Sequence, residues 1–182
     1  IPETKTWEVR PDAVYAVTGG TRGIGLEIAR HLTSKGARKL ALLGIQPLPP
    51  KNAWGSCLSE SRLSPGEREK LERLLELDRS LEALFVHTGP LTDRAELREF
   101  FGRVQAEGGP IAGVVHSAGA YPELNARAFV ARDLAAIQKV LEPKMEGLEA
   151  LHEIFANERL DFFVTFSSLS GVIPRLARGL AD

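Results

Sequence analysis

The sequence predicts an α/β fold: a doubly wound parallel sheet with strand order 3-2-1-4-5 and helices on both faces. Three observations carry this expectation. Short apolar, β-branched runs alternate with longer helical patterns, as right-handed β-α-β crossovers require. A glycine cluster falls at the junction of the first run and the first helical pattern. The 182 residues, 43% of them hydrophobic, suffice for one domain with a substantial core.

The first strand is AVYAVT (Ala13 to Thr18), followed by a helix, GIGLEIARHLTSKGA, that Gly36 stops. KLALLG (Lys39 to Gly44) is the second strand, LEALFVHT (Leu81 to Thr88) the third and IAGVVHSAG (Ile111 to Gly119) the fourth. Helical patterns occupy about 93–107 and about 132–157, with Pro143 expected to kink or break the second. The fifth strand, within LDFFVTFSS, reads as buried on both faces from Leu160 to Phe166 and runs into Ser167 and Ser168. An extra loop-helix at about 45–79 interrupts the plan. IQPLPPKNAWGSCLSE reads as a proline-rich loop, and SPGEREKLERLLELDRS as a helix with Ser64 as N-cap, Pro65 in the first turn and Glu67 closing a capping box.

Composition narrows the function classes. Lys plus Arg number 23 against 24 Asp plus Glu, a net charge of -1, so there is no electrostatic case for nucleic acid or an anionic membrane. No apolar run approaches the roughly 20 residues that span a bilayer, and the start lacks a signal-peptide pattern. The single cysteine, Cys57, reads as a bystander thiol in a polar loop, excludes an intramolecular disulfide and fits a reducing cytoplasm. No metal site is expected: His31, His87 and His152 have no companions at ligand spacing, and His116 reads as a packing residue.

The glycine loop carries the chemistry. In VTGGTRGIGLEIA, Gly19 lets the chain turn out of the strand, Gly23 admits a pyrophosphate and Gly25 lets the helix pack close to the sheet. The free N–H groups and positive dipole end of that helix then face phosphates. Thr18, Gly19, Gly20, Thr21, Arg22, Gly23, Ile24 and Gly25 are therefore the candidate cofactor-binding loop of a Rossmann-like fold.

TGGTRGIG resembles the cofactor loop of the short-chain dehydrogenase/reductase superfamily. GVVHSAGAY, IQKVLEPKMEGLEALHEI and DFFVTFSSLSGV narrow the resemblance to the ketoreductase domain of modular polyketide synthases. PLPP, and the lack of a Leu-Asp-Asp motif after HSAG, resemble the branch that uses a separate acyltransferase. The resemblance implies a catalytic subdomain over residues 13–182, with 1–12 as a linker from a preceding structural subdomain. It implies NADPH-dependent reduction of a β-ketoacyl thioester, carried on the phosphopantetheine arm of an acyl carrier protein, to the β-hydroxyacyl thioester. The other domains of the same synthase are the further implied partners.

By the same resemblance Ser168 is the catalytic serine and Lys144 the catalytic lysine, which also bonds the nicotinamide ribose. Ser167 is a backbone neighbour of the nicotinamide, Ser117, Ala118 and Gly119 pass beside the cofactor ribose, and Leu91 stacks on adenine. Three departures stand against it. Ile45 occupies the place of the usual arginine after the second strand, leaving Arg22 as the one candidate for the ribose 2′-phosphate. Pro90 replaces the acidic residue that bonds the adenine amine. The family's catalytic tyrosine and asparagine are missing, the only tyrosines being Tyr15 and Tyr121. The expectation is therefore a domain truncated after the fifth strand, whose 182 residues alone do not reduce ketones. A vestigial, non-catalytic scaffold or docking module and a free-standing dehydrogenase are the alternative readings.

Overall fold

The structure is a computed structural model, and it describes residues 8–59, 63–119 and 134–168. Its strands are β1 (Val14–Thr18), β2 (Lys39–Gly44), β3 (Ala83–Thr88), β4 (Ile111–His116) and β5 (Phe162–Thr165). They form one all-parallel sheet in the order β3-β2-β1-β4-β5, with Thr18 opposite Leu43 on one side and His116 on the other. Its helices are α1 (Gly23–Ser34), α2 (Trp54–Ser59), α3 (Pro65–Arg79), α4 (Arg94–Gly108), α5 (Leu134–Lys144) and α6 (Glu146–Phe155).

Strand alternation divides the core in two. On one face Tyr15 and Val17 of β1 pack with Leu26, Ala29 and Leu32 of α1 and with Leu71, Leu74 and Leu77 of α3. On the other, Val14 and Ala16 pack with Leu97, Phe100, Phe101 and Val104 of α4 and with Ala150, Leu151 and Phe155 of α6. Phe101 meets the Phe155 ring edge-on at 4.8 Å, a geometry worth about 0.5–1.5 kcal/mol beyond burial. This second contact ties the helix before β4 to the helix before β5.

Three local readings need correction. The proline-rich loop contains a 3-10 turn (Lys51–Ala53) and α2, because Trp54 buries its ring in the α1/α3 core and donates its indole N–H to the Pro49 carbonyl at 2.9 Å. Cys57 consequently sits half-buried on α2 rather than in a polar loop. The break expected near Pro143 is present: the pattern over about 132–157 forms two helices, α5 and α6, that meet at Met145, two residues after the proline. Finally, β5 is not buried on both faces: Val164 and the following Phe166 are 43% and 51% exposed, since β5 pairs only with β4 among the described strands. The α3 capping box forms as expected, with Ser64 and Glu67 satisfying each other's backbone N–H.

Candidate functional site

The strand order reverses between β1 and β4, so their carboxyl ends diverge and leave a crevice where ligands of such sheets bind. The chain leaves β1 through Gly19, whose φ of +70° lies in the left-handed region that favours glycine. A side chain at Gly19 would also come within 2.9 Å of the Ser117 carbonyl. Gly25 is the tighter position: a Cβ there would collide with the Gly19 carbonyl, so α1 starts directly against the loop. Gly23, at φ +54°, has open space where its side chain would be.

Hydrogen bonds weld this loop to the end of β4. The Ser117 hydroxyl and N–H both donate to the Thr18 carbonyl, at 2.7 Å and 3.3 Å. The Ala118 N–H donates to the Thr18 hydroxyl at 3.2 Å, and that hydroxyl pairs with His116 Nδ1 at 2.8 Å. The Gly20 N–H donates to the Leu43 carbonyl at 3.1 Å, while buried Thr21 packs against Gly44. Thr18 and Gly20 thus act from behind the cleft rather than on its wall.

The cleft has a volume of about 790 Å³. Gly19, Thr21, Arg22, Gly23, Ile24 and Gly25 line it on one side, Leu91 lines its floor, and Ser117, Ala118 and Gly119 lie on the β4 side. Ten of the sequence-selected residues therefore converge on one space. Ile45 and Pro90 line it too, at the two places where the sequence departs from the resembled pattern. Lys139, Glu142 and Pro143 of α5 also face it, with the Thr92 hydroxyl donating to the Glu142 carboxylate at 3.3 Å. Nothing in the sequence singled out Lys139 or Glu142, because on a lone helix they read as solvated charges.

Lys144 ends α5 and Ser168 follows β5 by three residues, both partly buried. Neither belongs to the described lining of this cleft, and each makes an interaction of its own. Tyr121 lies outside the described residues. A second, more apolar groove of about 1170 Å³ runs between α1 and β5, past Ile28, Phe162, Val164 and Phe166.

Two buried histidines flank the site. Burial pushes the His116 imidazole below its ordinary pKa, opposed by the Pro143 backbone. That contact lies outside hydrogen-bonding geometry, since His116 Nε2 has no hydrogen-bond partner among the described residues. His87 is likewise lowered by burial, with the Glu96 carboxylate opposing from 3.9 Å. Burial thus favours the neutral form of both rings. Among the described residues no group of three or more His, Cys, Asp or Glu is arranged to hold a metal. Nor is any described helix long and apolar enough to cross a membrane.

Comparison with known proteins turns this geometry into a family. The model of the KR domain matches residues 13–179. The chain belongs to the KR domain family. It is 40% identical over 172 residues to polyketide synthase PksL of Bacillus subtilis (strain 168), covering 94% of this chain and 4% of that protein. Among solved structures, an N-terminal ketoreductase from the macrolactin assembly line superimposes with a TM-score of 0.73 at 28% identity, over 94% of this chain and 31% of that one. A ketoreductase domain from the bacillaene assembly line gives a TM-score of 0.74 at 26% identity, over 95% and 37%. The KR-family chain described here thus spans about a third of those structures and a small part of the multidomain relative.

Proposed function

We propose that residues 13–182 form the cofactor-binding part of a ketoreductase catalytic subdomain. In this reading the domain reduces a β-ketoacyl thioester on the phosphopantetheine arm of an acyl carrier protein to the β-hydroxyacyl thioester, with NADPH. Residues 1–12 are then a linker from a preceding structural subdomain, and other domains of the same synthase are neighbours.

The observation that carries this reading is the convergence of the glycine loop, Leu91 and the Ser117–Gly119 turn on one cleft at the switch point of the sheet. The residues fit a dinucleotide: the open space at Gly23 and the amino end of α1 suit a pyrophosphate, and the depth that Gly25 secures would be lost to any larger residue. The backbone of Ser117, Ala118 and Gly119 would hold the ribose, Leu91 the adenine, and Arg22 the 2′-phosphate. When bound, the reduced nicotinamide supplies the hydride. Ser168 would donate a hydrogen bond to the ketone oxygen and stabilise the charge that develops there. Lys144, through its positive charge, would bond the nicotinamide ribose and keep a neighbouring phenol acidic enough to deliver a proton.

Ile45 and Pro90 on the cleft wall favour one second reading, a reductase fold retained as a scaffold. Titrating the full-length polypeptide with NADPH separates the two: the enzyme reading expects saturable binding, the scaffold reading none. Turnover of a carrier-bound β-ketoacyl group, compared with a diffusible ketone, then tests the substrate. Reduction of the diffusible ketone alone would point to a free-standing dehydrogenase.

A further inference from the structure

We infer that Lys70, on the inserted helix α3, is a second cation for the ribose 2′-phosphate beside Arg22, so that preference for NADPH is set by α3 rather than by the end of β2. The inference rests on the reading of the cleft as a nicotinamide cofactor site. It starts from a gap: β2 ends at Gly44 and continues into Ile45 and Gln46, so the strand end offers no cation to the cleft it lines.

Two ion pairs fix how α3 lies on α1. Arg73 pairs with Glu27 and Glu76 with Arg30, each 46 positions apart (73 − 27 and 76 − 30), so the helices run parallel in one register. Carried back one turn, that register sets Lys70 level with Ile24, at the amino end of α1 where Arg22 is the N-cap. Lys70 also shares the stripe of Arg73, Leu74 and Leu77, the last two buried in the α1/α3 core, at the i, i+3, i+4, i+7 spacing of one helix face.

Charge matching along this interface then stops abruptly. Away from the cleft two cations facing across it each have a carboxylate: Arg73 has Glu27 and Arg30 has Glu76. At the cleft end the facing groups are two cations, and neither Arg22 nor Lys70 forms an ion pair among the described residues. The nearest acid, Glu67, is engaged with the Ser64 hydroxyl and N–H as the capping box. Burial, and secondarily the Arg22 charge, hold the Lys70 ammonium below the ordinary lysine pKa, with the Glu67 carboxylate opposing without forming an ion pair with it. Two adjacent cations at a helix amino end lack an anion, and a dianionic phosphate monoester matches that deficit; the planar Arg22 fork and the mobile Lys70 stem suit it jointly.

The test is to measure dissociation constants of NADPH and NADH for the full-length polypeptide carrying Lys70→Gln, Lys70→Arg, Arg22→Gln, Lys139→Gln or the Lys70/Arg22 double substitution. Lys70→Gln is expected to weaken NADPH about tenfold and NADH by no more than about twofold, with Lys70→Arg restoring most of the loss. Lys139→Gln, on the opposite wall, is expected to leave the NADPH-to-NADH ratio unchanged. The double substitution should weaken NADPH by a factor different from the product of the two single losses, as cations sharing one phosphate do. An unchanged NADPH-to-NADH ratio in Lys70→Gln, with wild-type preference intact, would overturn the role of Lys70 while leaving the function reading standing. Binding of neither dinucleotide to the wild type would overturn both.

Discussion

The two ends of the cleft region are built differently. The glycine-loop side, from Thr18 through Gly25, is fastened by five hydrogen bonds to the ends of β2 and β4, and neighbouring backbone leaves no room for a larger residue at Gly19, Gly20 or Gly25. The β5 side is a four-residue strand with one described neighbour, its outward residues exposed, and Ser168 hangs three residues beyond it. The loop is thus locked by bonds to two neighbouring strand ends, whereas the chemistry proposed above depends on Lys144 and Ser168 at the ends of α5 and β5.

The sharpest way to break this contrast is to remove the proposed reacting groups. In the full-length polypeptide Ser168→Ala and Lys144→Ala should each lower ketone reduction by about 10²–10⁴-fold with the fold intact by circular dichroism. Ser168→Ala should leave the NADPH dissociation constant unchanged, and Lys144→Ala should raise it through the lost ribose bond. Near-normal turnover in either would dissolve the division of labour between the two regions.

The reverse change acts on the cradle. Gly25→Ala forces a methyl group against the Gly19 carbonyl, so it should destabilise the protein by about 1–3 kcal/mol and weaken NADPH at least as much. Denaturant melts and a fluorescence titration would read both. A variant with normal affinity would mean that α1 can withdraw from the loop without cost.

The packing of β5 gives a smaller effect. Phe162 stacks on Tyr15 at 5.8 Å across Gly113, tying β5 to the central strand. Phe162→Ala should cost about 1–2 kcal/mol, below the roughly 3–5 of a fully buried phenylalanine, because the ring is only half-buried. A greater loss would show that β5 is held as firmly as the cradle.

The smallest predicted effect is on pH. His87 and His116 are held below the ordinary histidine pKa by burial, so as pH falls through about 6.5 the unfolded chain binds protons before the native state does. Their contribution is complete above that pH and is lost as pH falls through it toward the native values. The denaturation midpoint should therefore drop between pH 7.5 and 5.5, and His116→Phe should flatten part of that drop. Glu67, also lowered, titrates below this interval and does not contribute to it.

Much of this was legible before folding because it is local. The T-G-x-x-x-G-x-G spacing sits where a strand must turn into a helix, the capping box at Ser64 and Glu67 closes within four residues, and Pro143 interrupts a helix wherever it stands. The strand order followed from alternation and the fixed hand of crossovers. What the linear chain could not express was long-range. That Trp54 enters the core, that β5 lies half-exposed, and that Lys139 and Glu142 face the cleft depend on residues tens of positions apart. A glycine's conformation is set by its own backbone, but burial and charge pairing are set by neighbours that only the folded chain supplies.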